Sequence, residues 1–174
     1  MVAQVGVRGQ AAISPVPTGW TSIRKDTLGT SGYVQIFYKV ATATEPTSYA
    51  FKTTDAIAKA GGITAWTGVK TSGPVDVSSG ATGSGASATA PSVTTTAAND
   101  VLLYFGFQVG DVTYTPPTGM TERWDVSAGP QTYPGTAENA DQIIASAGAT
   151  GTRTGTASGA GGGFIAELVA LKSS

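Results

Sequence analysis

Pro17-Thr18-Gly19-Trp20-Thr21 returns as Pro117-Thr118-Gly119-Met120-Thr121, a shift of 100 residues. A five-residue match that keeps its Pro and Gly in place marks an internal duplication. The same shift lays Val5-Gly6-Val7 on Phe105-Gly106-Phe107. Further on, Gly61-Gly62-Ile63-Thr64-Ala65 falls on Gly162-Gly163-Phe164-Ile165-Ala166 at a shift of 101, so a loop of different length intervenes. The half-repeats run over about 1–70 and 88–172. Between them Ser78-Ser79-Gly80-Ala81-Thr82-Gly83-Ser84-Gly85-Ala86-Ser87 reads as a flexible, exposed low-complexity loop within one domain of residues 1–174.

Each half reads as strands. Val34, Ile36, Tyr38 and Val40 alternate with Tyr33, Gln35, Phe37 and Lys39, and Leu103, Phe105, Phe107 and Val109 repeat the pattern. Further strands are predicted at 48–53, 63–69, 92–96, 120–126, 141–145, 150–156 and 164–171. Turn residues separate them, among them Glu45-Pro46, Ser72-Gly73-Pro74, Asn99-Asp100 and Tyr133-Pro134-Gly135. The one helical candidate is a single turn over 54–60, with Asp55 as cap and Gly61 as stop. Short strands at this spacing predict an all-β, two-sheet β-sandwich, jelly-roll-like, built from two similar halves.

The halves differ at one place. The segment 92–96 precedes the second opening strand, and nothing before Met1 matches it. The first opening strand, carrying Val2 and Gln4, is therefore expected to have an unmatched edge. Another part of the chain covers that edge, or a partner chain supplies a strand, or the true start lies upstream.

Composition narrows the function. With no Cys and no His the chain has no disulfide, no thiolate metal ligand and no imidazole base. Charged residues make up only 12%, the net charge is −1, and the basic residues are scattered, which argues against nucleic-acid binding. No apolar run approaches the ~20 residues of a membrane helix. The start lacks a secretory leader, so an extracellular role implies release by another route, such as host lysis. The seven Asp and four Glu sit mostly in turn-like contexts. No nucleophile elbow, phosphate loop or calcium-loop pattern occurs. No catalytic, cofactor-binding or metal residue is assigned, and a loop calcium site from scattered carboxylates stays open.

The duplication sorts the tryptophans. Trp20 matches Met120 and reads as core. Trp66 matches Glu167, and Trp124 matches Arg24 or Lys25. Aromatic residues with charged counterparts are candidates for a solvent-facing interface. Trp66, Trp124, Val2 and Gln4 thus form the candidate interface set, for a protein or a glycan partner.

The segments Pro17–Arg24, Ile36–Phe51, Ile63–Val69, Pro74–Asp76, Pro116–Arg123 and Ala147–Arg153 together resemble a family of Thr/Gly-rich β-sandwich domains. That family occurs in tailed-phage virion proteins and in bacterial surface proteins. The resemblance covers nearly the whole chain and implies no catalytic residues. It implies a role as a capsid decoration or minor tail protein, partnered by other virion proteins or copies of itself. A carbohydrate-binding adhesion module is the alternative.

Overall fold

The computed structural model describes residues 1–55, 57–130 and 132–174. Its strands in chain order are β1 (Val2–Arg8), β2 (Thr21–Leu28), β3 (Gly32–Tyr38), β4 (Lys59–Thr64), β5 (Val75–Gly83), β6 (Ser87–Ala90) and β7 (Thr94–Thr95). They continue with β8 (Asp100–Gln108), β9 (Tyr114–Thr115), β10 (Thr121–Ala128), β11 (Gly135–Ile144), β12 (Gly148–Ala149), β13 (Arg153–Ala157) and β14 (Phe164–Leu171). There is no helix among the described residues. Of the helical turn expected over 54–60, Ala56 lies outside the described residues, and Lys59 and Ala60 open β4 instead.

The strands form an all-β sandwich. One antiparallel sheet has the order β2-β3-β1-β4, and a second has the order β10-β11-β8-β14-β5. Val2, Val34 and Ile36 from the first meet Leu103, Phe105, Phe107, Ile165 and Val169 from the second in the central core. A β6-β13-β9 sheet covers the outer face of the second sheet over Leu102, Tyr104, Leu168 and Met120. On the outer face of the first sheet, Trp20, Tyr33 and Phe37 are covered by loop residues Ile13, Tyr49 and Phe51. The Trp20 ring meets Tyr49 edge-on at 5.2 Å and Phe51 at 5.4 Å. Trp20 and Met120 thus occupy matching places under the two outer covers.

The strand order β2-β3-β1-β4 recurs as β10-β11-β8-β14. The entry turns repeat as well: Trp20 N–H donates to Pro17 O at 3.2 Å, and Met120 N–H to Pro117 O at 3.0 Å. Gly19 and Gly119 hold φ of 83° and 81° there, a conformation that excludes most side chains. The register irregularity between Ser22 and Arg24 recurs between Glu122 and Trp124. Strands do not alternate between the sheets in jelly-roll fashion, since β1 to β4 all stay in one of them.

The ladder alters the alignment. Arg24 lies beside Ile36, which lies beside Gln4, which lies beside Gly62. In the second sheet the same walk runs Trp124, Asn139, Phe105, Glu167. Gln4 therefore corresponds to Phe105, a shift of 101, and Gly62 to Glu167, a shift of 105. Matching Val5-Gly6-Val7 to Phe105-Gly106-Phe107 is one residue out, which would turn every side chain to the wrong face.

A further expectation is corrected. The Ser/Gly/Thr stretch 78–87 is not an exposed loop: its first six residues are the last six of the nine in β5, paired along β14, and Ser87 opens β6. Of the three alternatives for the opening strand, the first holds: another part of the chain covers its edge, since β1 is paired by β3 on one side and β4 on the other. Within the two main sheets, the strand without a counterpart is β5. Of the segment 92–96 only Thr94–Thr95 is strand, and it pairs with β12.

Candidate functional site

Val2 and Gln4 are interior residues. Val2 joins the central core, and the Gln4 amide crosses it to donate to Gly106 O at 2.8 Å. The pairing of β1 on both sides buries them, although Val2 still borders the Trp66 cleft and Gln4 the groove along β4.

Trp124 also works across the sandwich. Its Nε1–H donates to Thr64 Oγ1 at 3.1 Å, and Thr64 Oγ1–H donates to Asn139 Oδ1 at 3.0 Å, which ties β10 and β11 to β4. The ring lies so close over Gly62 that a Cβ there would stand 2.8 Å from Trp124 Cε2. The register settles its counterpart as Arg24. Arg24 does the same job with charge: Nε–H donates to Asp26 at 2.6 Å and to Glu167 at 3.3 Å, and Nη1–H to Ser78 Oγ at 3.2 Å. Burial pushes Asp26 up, but its bonds to Arg24 and Glu167 outweigh this and leave it below the ordinary value. Burial and the adjacent Asp26 carboxylate push Glu167 well above its ordinary value, so it is the protonated member of the pair.

A second acid pair stands at the other end of β5. Asp76 accepts from Thr96 N–H and from Thr96 Oγ1–H, both at 2.6 Å, and lies 3.8 Å from Lys172 Nζ. Burial and the hydrogen-bonded Asp76 raise Asp100. Glu138 stands alone on β11, buried with neither oxygen hydrogen-bonded, and is pushed up to about 8 by burial and by Glu122 and Asp125. Carboxylates of split affinity are what general acid–base sites use. Here Glu167 ties the two sheets through Arg24, whereas Glu138 has no hydrogen-bond partner.

A cleft lies elsewhere. Between β4 and β5 the chain passes Trp66 and returns along the C-terminal segment, where Lys70 N–H donates to Lys172 O at 2.9 Å. A cleft of about 350 Å³ opens there, lined by Trp66, Tyr38, Lys39, Val69, Lys70 and Pro74 among others. Trp66 is half-buried with part of its surface against the central core. Lys39 is engaged by Glu45 at 2.5 Å. A smaller groove of about 220 Å³ follows β4 on the outer face, beside Tyr49, Phe51 and Ile63. No carboxylate lines either one.

No family model, curated protein or solved structure matches the chain.

The structure thus separates the four candidates. Trp66 lines a cleft, Trp124 seals the two sheets, and Val2 and Gln4 are core. Sequence reasoning missed Tyr38, Lys39 and Lys70 around Trp66, because the strand partners that gather them are far apart in the chain. It also missed the Arg24–Asp26–Glu167 tie, which only the ladder register reveals.

Proposed function

We infer that the protein is a non-enzymatic structural component of a tailed-phage virion, decorating the capsid or forming part of the tail. One observation carries this reading. Its buried acids Glu167, Asp100, Asp141 and Glu138 all sit on strands of the second sheet, while no carboxylate lines either of the two clefts described. Chemistry spent on holding layers together suits a protein whose task is to present a rigid surface to its neighbours. The likeness of its Thr/Gly-rich segments to virion β-sandwich domains agrees. Its partners are then other virion proteins or further copies of itself, and its place is the particle, outside the cell after lysis. Mass spectrometry or cryo-EM of purified particles tests the reading: a stoichiometric band and density are expected, and absence from intact particles sinks it.

A specific observation favours a second reading, carbohydrate binding. The Trp66 cleft combines two aromatic residues, Trp66 and Tyr38, with Lys70, while Lys39 in its lining is tied to Glu45. Indole and phenol rings stack on sugars, and lysines suit acidic ones. A glycan array separates the two: saturable binding that Trp66→Ala abolishes supports a lectin-like module, and an empty array rejects it.

A further inference from the structure

The two sheets repeat one strand order, but the second carries an additional edge strand, β5, where the first stops at β4. In the second sheet β5 pairs along β14, and its Ser78 and Gly80 lie against Arg24 and Asp26 of β2 in the facing sheet. The corresponding place in the first sheet lies along the free side of β4, facing β10. Among the described residues nothing pairs there.

The surroundings bear the marks of an unfilled position. Val126 of β10 corresponds to Asp26 and points between the sheets, as its pairing with the core residue Ala137 requires, yet it is 36% exposed. Ile63 of β4 corresponds to the fully buried Leu168, yet it is 39% exposed on the outer face. The free edge is thus flanked by an uncovered aliphatic side chain on each face. The groove beside Tyr49 and Phe51 runs along it. A bare edge with apolar flanks is what sheets avoid unless something pairs with it.

We propose that the free side of β4 accepts an extended segment of a partner polypeptide, antiparallel to β4, completing a fifth strand of the first sheet by backbone hydrogen bonding. The filled position gives its chemistry. There β5 sets small residues, Ser78 and Gly80, against a charged pair; here the facing groups are Trp124, Val126 and Gly62, with no charge among them. The guest is therefore uncharged on its inward side, small opposite Trp124, and apolar on its outward side toward Ile63 and Phe51. A second folded copy does not fit by its own β4. β10 lies beneath the vacancy, and a symmetric β4-to-β4 pairing would bring two β10 strands into the same space. The inference deepens the virion reading, since it rests on the protein working by contact with neighbours.

The probe is a capped peptide of residues 74–84, the strand that the molecule uses in the equivalent place. Added to 15N-labelled protein, it should shift the amides of residues 59–64 and the Trp124 indole saturably and slow hydrogen exchange in β4. Ile63→Lys and Val126→Lys, both at exposed sites, should each weaken binding at least tenfold, and a peptide with Pro at position 79 should not bind. No saturable shift at millimolar peptide overturns the proposal. So does a concentration-dependent dimer in sedimentation that Ile63→Lys dissolves, because the edge would then belong to a second copy. Neither result bears on whether the protein is found in particles, and absence from particles would leave peptide binding standing.

Discussion

Glu138→Gln isolates the cost of a buried carboxylate. Glu138 is fully buried on β11, with neither oxygen hydrogen-bonded, and its affinity for the proton rises from the ordinary 4.5 to about 8. Each tenfold change in proton affinity is worth about 1.36 kcal/mol, so the full rise corresponds to ~5 kcal/mol. Water entry and side-chain adjustment on ionisation relieve part of it, which leaves ~3 kcal/mol as the expected effect. The sign follows from a folded value raised above the unfolded one. The contribution is fully present below pH 4.5, where both states hold the proton, and is lost as the pH rises through about 8. Glutamine keeps the shape and cannot ionise. At pH 5 the variant should equal the parent or fall slightly below it. At pH 9 it should melt higher by ~6–12 °C, taking about 2–4 °C per kcal/mol for a chain of this size. Thermal unfolding of both proteins at pH 5, 7 and 9 measures the difference, in which the other titrating groups cancel. A melting difference that stays constant over that range refutes the reasoning.

Three more outcomes are expected. Gly62→Ala places a methyl group 2.8 Å from Trp124 Cε2 and should cost ~1–3 kcal/mol, read as a lowered urea midpoint with the Trp124 indole resonance displaced. Arg24→Met strips the counter-ion from Asp26 and should cost toward the lower end of ~3–5 kcal/mol at pH 7, since the pair is partly solvated. Because the folded Asp26 value is depressed, that penalty should shrink as the pH falls below 4; a pH-independent penalty would assign the loss to packing. Trp124→Arg combined with Gly62→Glu transplants the charged tie of the other side. With no fifth strand to shield the pair, a double-mutant cycle should give a favourable coupling of only ~0.2–1 kcal/mol, and an unfavourable coupling would show that the two positions are not equivalent.

The legible part of the fold was the part written in apolar periodicity and turn chemistry. Alternation over 33–40 and 101–109 became β3 and β8, the Pro-Thr-Gly turns fell where they were read, and 164–171 became β14. β5 was illegible because its inward residues, Ser78 and Gly80, answer polar groups on β2 and not a hydrophobic core. Without an apolar period such a segment reads as linker. The alignment of Val5-Gly6-Val7 slipped by one for a related reason. β1 and β8 are buried on both faces, so apolar-Gly-apolar carries no information about which face is which. Val2 and Gln4 became interface candidates through the same uncertainty, since the sequence does not say that β4 returns to pair with β1. Of the candidate site only Trp66 was reachable, and through a match to Glu167 that the ladder register assigns to Gly62 instead.

The two ends of the sandwich show one structural problem solved twice. At each, a strand of one sheet lies over a strand of the other, and the side chain after the register irregularity fills the gap. Where that residue is Arg24, the facing position is Glu167, and a fifth strand supplies Ser78 to finish the hydrogen bonding. Where it is Trp124, the facing position is Gly62, because the indole needs the volume that a side chain would take. The charged version needs β5: without it, Asp26 and Arg24 would face water, and the attraction between them would be screened. The aromatic version can stand without a neighbour, because its stabilisation comes from packing and from one hydrogen bond to Thr64 that is already made within the pair of sheets. An edge that stays folded while unpaired is a prerequisite for one that accepts a partner. The substitution of a charged tie by Trp124 and Gly62 is therefore the feature that lets the first sheet end at β4 and remain open.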